Sequence, residues 1–477
     1  MSDTRAVAVQ QSTLENASAP HLPISRILGY ACGDAGCNIA FQMTGLFLLV
    51  FYTDVVGINP IHAGNIFLFV KFWDAFADLF AGRMVDRTMT RWGKFRPFLL
   101  WYSVPLLVSN LFCFWIPVDG YGAKLAWATI SYAVMGLLYS LVNIPYGSLA
   151  GAMSQNPIDR SRLASARMVG SGSTILLLAL VLAPQIKASD NLALAFLITA
   201  AGFLVLGTIL FMITFVTARE TVVREVAQVS LKQTIQTVTK NGPLARLCLS
   251  SFFYLTGQNV VSALGIYIAN DILSRYVGGN WLASVVTIIT TGAVIYVAPF
   301  GPLVTRVLGK KRGFIIAAAG AIVGNVAFLV SGNLFFALVG LFFVGVGMAL
   351  LNTMTWALEA DTVEYGEYQT GIRTEGATYA AFSFTRKVGQ AVGAAIAGYG
   401  LAWAGYSGAL KKAGQPQPAD VVDRMQLAAG VLPLVFFLVA LLIMATYPLT
   451  EARFKEIVVG IQARRMERLA EQGDLPG

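Results

Sequence analysis

Long apolar runs alternate with short basic interruptions along almost the whole chain. A helix needs roughly 20 mainly apolar residues to cross the hydrocarbon core of a bilayer. Twelve runs approach that length: 26–52, 59–83, 97–117, 124–152, 165–187, 192–218, 243–269, 281–305, 313–331, 333–358, 376–405 and 426–448. The pattern therefore predicts an all-α membrane protein of twelve transmembrane helices. The polar residues 1–24 lack an apolar core before a cleavage site, so no signal peptide is expected. The expected organisation is a tail (1–24), a six-helix half (25–218), a linker (219–242), a second six-helix half (243–448) and a second tail (449–477).

Composition sharpens this picture. Of 477 residues 56% are hydrophobic and only 12% charged. A soluble domain carries roughly 25% charge, so a soluble enzyme is excluded, as is a disordered chain. The net charge is +9, but the basic residues sit between apolar runs, which favours contact with membrane lipid over nucleic acid. Arg87, Arg91, Lys94 and Arg96 lie after the second run, and Arg306, Lys310, Lys311 and Arg312 after the eighth. The loops on the other side are poorer in Lys and Arg, so both termini and the linker are expected in the cytoplasm. The four cysteines lack metal-like spacing, and His21 and His62 stand alone. No disulfide, metal or other cofactor is expected.

The halves look weakly alike: a glycine and a basic residue close the second run (Gly82, Asp86-Arg87) and the eighth (Gly301, Arg306). Duplicated six-helix halves are the plan of many secondary transporters, with the substrate site between them at mid-membrane. Charges at that depth cost at least about 2.5–3.5 kcal/mol each and mark function or pairing. Lys71, Asp74 and Asp78 share one helical face by their spacing. Asp34 and Asn38 are four apart, Arg167 opens the fifth run, and Arg386-Lys387 lies in the eleventh. Ser140 and Asn143 precede a break at Ile144-Pro-Tyr-Gly147. Asp74 and Asp78 read either as a cation site or as carboxylates neutralised by Lys71, Arg386 or Lys387. Arg167, Arg386 and Lys387 read either as anchors for an anionic substrate or as counter-ions.

Several segments resemble the glycoside–pentoside–hexuronide:cation symporters of the major facilitator superfamily. They are Gly29-Tyr-Ala-Cys-Gly33-Asp34 with Asn38, Phe51-Tyr-Thr-Asp54, Trp73-Asp74-Ala-Phe-Ala-Asp78, and Arg91-Trp-Gly-Lys-Phe-Arg96-Pro97. Further on they are Asn143-Ile-Pro-Tyr-Gly147, Asp361-Thr-Val-Glu364-Tyr-Gly366-Glu367, Arg373-Thr-Glu375 and Ser383-Phe-Thr-Arg386-Lys387. The likeness runs from about residue 25 to 460. Asp74-Ala-Phe-Ala-Asp78, Trp356-Ala-Leu-Glu-Ala and Tyr447-Pro-Leu-Thr resemble the glucuronide-carrying members most.

The resemblance implies a major facilitator fold and a symporter of the bacterial inner membrane. In melibiose-carrying members the positions matching Asp74 and Asp78 hold the cation, with an asparagine and a span 4 hydroxyl. Here those helpers are Ala77 and Ser140. A hard metal ion needs several oxygens, so H⁺ is favoured as coupling ion and Na⁺ is the alternative. Asn38 and Asn143 stand where those members carry acidic residues, which suits an anionic sugar and equally a neutral pentoside.

The expected function is uptake of a glucuronide or related hexuronide by alternating access, in a monomer. Asp74, Asp78 and Ser140 would bind the cation, and Asp34, Asn38, Asn143, Arg167, Arg386 and Lys387 the sugar. Asp86, Arg87, Arg91, Lys94, Arg96, Asp361, Glu364 and Arg373 would form a cytoplasmic gate. The rivals are a carrier of xylosides or lysolipid, and a membrane enzyme using loop carboxylates Asp361, Glu364 and Glu367 on lipid-linked sugar.

Overall fold

Helices occupy all twelve apolar runs in the computed structural model, which describes residues 21–154, 157–189, 191–220, 239, 241–370 and 375–471. The first half contains α1 (Ile24–Val56), α2 (Pro60–Arg87), α3 (Arg96–Cys113), α4 (Tyr121–Met153), α5 (Pro157–Val181) and α6 (Leu192–Thr217). The second contains α7 (Gly242–Arg275), a broken α8 (281–308), α9 (Lys310–Leu329), α10 (Leu334–Thr370), α11 (Glu375–Ala404) and α12 (Ala419–Ala445). Among the described residues, eight helices are long and apolar enough to span a bilayer on length and composition alone. The other four are weakened by charge (Lys71, Asp74 and Asp78 in α2; Arg386 and Lys387 in α11), by brevity (18 residues in α3) or by the break in α8.

The two halves pack alike. In the first, α1 lies on α5 and α6, and α3 on α4 and α6. In the second, α7 lies on α11 and α12, and α9 on α10 and α12. Every helix number is raised by six. The halves meet where α2 packs on α11, α1 on α7 and α5 on α8.

Both inner helices carry a π turn near their C-terminal ends, Phe51–Val56 in α1 and Ile268–Ile272 in α7. Such turns re-aim side chains and recur at functional positions. Thr53 in the first turn shares a 2.7 Å hydrogen bond with Tyr267, which precedes the second. Gly57, at φ 81°, then caps α1 in the left-handed region that glycine enters without strain.

Four expectations need correction. The eighth run is not one helix but Trp281–Ile289, Ala293–Val297 and Gly301–Leu308. Pro299 and Pro302 lack the N–H that a continuous helix would use, and the Ile289 carbonyl at the break accepts from the Tyr296 hydroxyl at 3.0 Å. Conversely, no break occurs at Ile144–Gly147: α4 runs through Pro145 to Met153. It is held there by Tyr146, whose hydroxyl donates to the Tyr30 carbonyl at 2.8 Å while the rings stack. Arg167 does not open its helix but lies ten residues in, because α5 starts at Pro157. Finally, α10 continues to Thr370, so Asp361, Glu364 and Glu367 are helical and not loop residues. The amide of Asn241, at the N-terminal end of α7, donates to the Thr362 carbonyl at 2.8 Å and tethers that extension.

The C-terminal tail contains a further long helix, α13 (Glu451–Glu471), which the apolar-run count passed over. Ile457 and Ile461 are buried in the core of the second half.

Candidate functional site

The spacing of three and four residues on α2 does put Lys71, Asp74 and Asp78 together, on the side that meets α4 and α11. Lys71 Nζ donates to Asp74 Oδ2 at 3.0 Å and lies 5.7 Å from the Phe41 ring and 5.8 Å from the Tyr132 ring. Asp74 is buried, and its Oδ1 has no hydrogen-bond partner among the described residues. It fits only because α4 carries Gly136, where an added Cβ would sit 2.0 Å from that oxygen.

One turn on, Asp78 is shared between the halves. Ser140 Oγ of α4 donates to Asp78 Oδ1 at 2.6 Å, and Lys387 of α11 pairs with Oδ2. Two carboxylates, one hydroxyl and two ammonium groups thus meet where the halves touch. Ala77, between the carboxylates, is buried and offers no oxygen ligand.

A second cluster lies between α1 and α5. Arg167 Nε donates to Asp34 Oδ1 at 3.1 Å, and its guanidinium lies 5.4 Å from the Tyr146 ring. Asn38 donates to Asp34 Oδ2 at 2.9 Å and accepts from Ser171 at 3.1 Å. This leaves a half-exposed guanidinium on a buried carboxylate, amid amide and hydroxyl groups that suit a polyol. Asn143 is half-buried one turn beyond Ser140. Arg386 stacks 4.6 Å from the Trp356 ring.

The expected gate residues separate into two groups. In the segment after α2, the backbone N–H groups of Lys94, Phe95 and Arg96 converge on the Glu220 carboxylate at 2.8, 2.7 and 2.9 Å. Gly93, at φ 106°, makes that approach, and a Cβ there would lie 2.5 Å from Glu220 Cδ. Arg96 Nε also donates to the Phe215 carbonyl at 3.1 Å, and Arg91 lies over Trp92 at 4.5 Å. Arg87 is exposed in the last turn of α2. On the other half, Lys310 Nζ pairs with buried Asp361 at 2.5 Å, and Glu364 is half-buried one turn later. The side chain of Asp86 and the whole of Arg373 lie outside the described residues.

Sequence reasoning missed the contacts that join the halves where α1 ends. The Tyr406 hydroxyl donates to buried Asp54 at 2.6 Å, Thr53 donates to the same carboxylate at 2.6 Å, and Tyr399 donates to Asn65 at 2.6 Å. Beside them Lys411 pairs with Asp271 at 2.8 Å. The sole advance signal was the Phe51-Tyr-Thr-Asp54 motif, an aspartate near a membrane boundary. Glu220 carried no signal, since its partners are backbone groups far away in sequence.

The family model described as MFS/sugar transport protein matches residues 29–451. The glucuronide carrier protein homolog of Escherichia coli (strain K12) is 42% identical over 451 residues, covering 92% of this chain and 95% of that one. The isoprimeverose transporter of Lactiplantibacillus pentosus is 29% identical over 430 residues, covering 87% of each. Among solved structures, the nucleoside transporter NupG superposes with a TM-score of 0.60 at 14% identity, over 88% of this chain and 100% of that one. At that identity the likeness speaks for the fold alone.

Proposed function

The chain belongs to the MFS/sugar transport protein family, a family of membrane transporters, and from that premise we propose that it is a cation-coupled symporter importing a glucuronide or related hexuronide. The observation that carries the reading is the position of Asp78. It is held by Ser140 within its own half and by Lys387 from the other. Protonation or cation binding there changes what Lys387 is paired with, and so alters the balance between conformations that separate or join the halves.

Proton coupling is preferred over sodium. Around Asp74 and Asp78 the described neighbours include Ser140, two lysines, the Tyr132 side chain and the methyl of Ala77. That set is poor in neutral oxygens for a metal ion and adequate for a carboxyl proton. Asp34, Asn38, Asn143 and Arg167 form the sugar-facing cluster. In this reading the protein works as a monomer in the bacterial inner membrane, with both termini cytoplasmic and no cofactor. The Asp54–Tyr406 contacts then seal the outer end.

The test is uptake of a labelled aryl glucuronide by purified protein in liposomes, under an inward proton gradient, a sodium gradient or neither. Accumulation with the proton gradient alone is the expected result. Accumulation driven by sodium overturns the proton assignment, and no uptake by folded protein overturns the sugar. The isoprimeverose transporter among the relatives favours one second reading, in which the cargo is another glycoside. Competition by xylosides against glucuronide uptake separates the two.

A further inference from the structure

The two halves repeat one arrangement of arginine, glycine and aromatic ring, and differ in a single partner. On α5, Gly170 lies against α1: an added Cβ would come within 2.5 Å of the Ala31 carbonyl oxygen and 3.1 Å of Asp34 Cβ. On α11, Gly389 lies against α7 in the same way, 2.8 Å from the Phe252 carbonyl oxygen and 3.3 Å from Leu255 Cβ. Three residues before each glycine stands an arginine, Arg167 in the first half and Arg386 in the second. Each guanidinium covers a ring of the helix six places apart in order: Tyr146 of α4 at 5.4 Å, and Trp356 of α10 at 4.6 Å. Arg386 is therefore the structural counterpart of Arg167, and Leu255 the counterpart of Asp34.

That one exchange leaves a guanidinium nitrogen of Arg386 without an acceptor among the described residues. Arg167 donates to Asp34 at 3.1 Å. At the matching place on α7, the buried Leu255 offers no acceptor. On α2, Asp74 pairs through Oδ2 with Lys71, and Asp78 pairs with Lys387. Arg386 Nη1 is buried without a hydrogen-bond partner among the described residues. A buried guanidinium donor with no acceptor is costly. The stack on Trp356 fixes the plane of the guanidinium but supplies no acceptor for its N–H groups.

We propose that Arg386 receives the carboxylate of the transported sugar, and so makes the carrier selective for uronides over the matching neutral glycosides. The inference rests on the sugar-transport reading above and gives that site its discriminating residue. A planar fork of donors matches a carboxylate in a bidentate manner. A hydroxymethyl group at the same place would leave the fork unsatisfied, and sites with unpaired polar groups reject such analogues strongly. The division of labour among the three cations follows. Lys387 serves the coupling carboxylate, Arg167 holds Asp34 beside the sugar hydroxyls, and Arg386 reads the anion.

The experiment measures binding of p-nitrophenyl glucuronide and p-nitrophenyl glucoside to the full chain in nanodiscs, for the wild type, Arg386→Gln and Arg386→Lys. The wild type is expected to prefer the glucuronide. Arg386→Gln should lose roughly ten- to a hundredfold of glucuronide affinity, the scale of a hydrogen bond to a charged group, and bind the glucoside at least as well as the wild type does, because the fork that disfavours a hydroxymethyl group is gone. Arg386→Lys should keep part of the preference, because it retains charge and loses the fork. An unaltered glucuronide-to-glucoside ratio in Arg386→Gln removes Arg386 as the reader while glucuronide binding by the wild type upholds the transport reading. Equal loss of both sugars in the two variants assigns Arg386 a packing role and overturns the proposal. Failure of the wild type to bind either sugar overturns the hexuronide cargo of the proposed function, and this inference with it.

Discussion

Lys387 of α11 crosses from the second half to the carboxylate of Asp78 on α2, which Ser140 of α4 holds from the opposite side at 2.6 Å. The carboxylate touches both halves, and on the proposed reading its charge sets how tightly they are tied. Charge at Asp78 should therefore be needed for coupling more than for passage of sugar. Asp78→Asn is expected to abolish accumulation against a gradient and to retain exchange of labelled for unlabelled sugar. Uphill uptake and counterflow in the same liposomes check this, and full accumulation by the variant removes Asp78 from the coupling site.

Asp34 and Arg167 form the second pair, and here the prediction concerns how strongly the two depend on each other. Asp34 is buried, whereas the Arg167 side chain is 41% exposed. Removing one partner strands the other, a larger penalty than removing both. With the exposure discounted, each single variant, Asp34→Asn or Arg167→Gln, should lose about 1–3 kcal/mol of stability. The double variant should lose less than the sum, and all three should bind sugar weakly. Thermal unfolding of the four proteins in detergent closes the cycle, and strict additivity would show that the pair is not coupled.

Much of the central site was legible because helical spacing is local. Lys71, Asp74 and Asp78 fall on one face by arithmetic, as do Asp34 and Asn38, and the structure brings those groups together. Lys387 was the favoured counter-ion of the α2 carboxylates on the sequence alone, and it does pair with Asp78, but which of the two carboxylates it meets depends on how α11 packs on α2 and is not a matter of local spacing. Other contacts across the halves were not legible. Tyr406 and Asp54 are 352 positions apart, and each alone looks like an ordinary residue near a membrane boundary. The break in α8 was hidden for a related reason. Its apolar composition satisfies the length rule, and the freed carbonyl at Ile289 is satisfied by Tyr296 of the same segment.

The Tyr406–Asp54 contact makes a prediction about conformation. Asp54 is buried between the halves and receives two short hydroxyl hydrogen bonds, one from each half. Tyr406→Phe deletes the bond that spans the seam, which holds the halves shut only when they meet there. The variant should shift the population toward separation of the α1 end of the bundle. Spin labels at Ile61 and Lys412, in a background without native cysteines, should report a larger fraction of long distances. An unchanged distance distribution sinks the idea that this bond is part of the seal.

Glu220 supplies a last prediction, outside the apolar core. Three successive backbone N–H groups at the start of α3 point at its carboxylate, an arrangement that stabilises an anion at a helix N-terminus. The carboxylate pins the basic segment of Arg91, Lys94 and Arg96 to the end of α6, so the segment's shape depends on a charge beyond its own span. Glu220→Gln keeps the size but replaces one oxygen with a donor that repels the converging N–H groups. It should cost about 1.5–3 kcal/mol locally and free the segment without unfolding the bundle. Trypsin cleavage after Arg91 should then quicken markedly while the thermal midpoint of the bundle holds. Sugar transport should fall as well if this segment belongs to the cytoplasmic gate, whereas fast cleavage with full transport would leave Glu220 a purely local clamp.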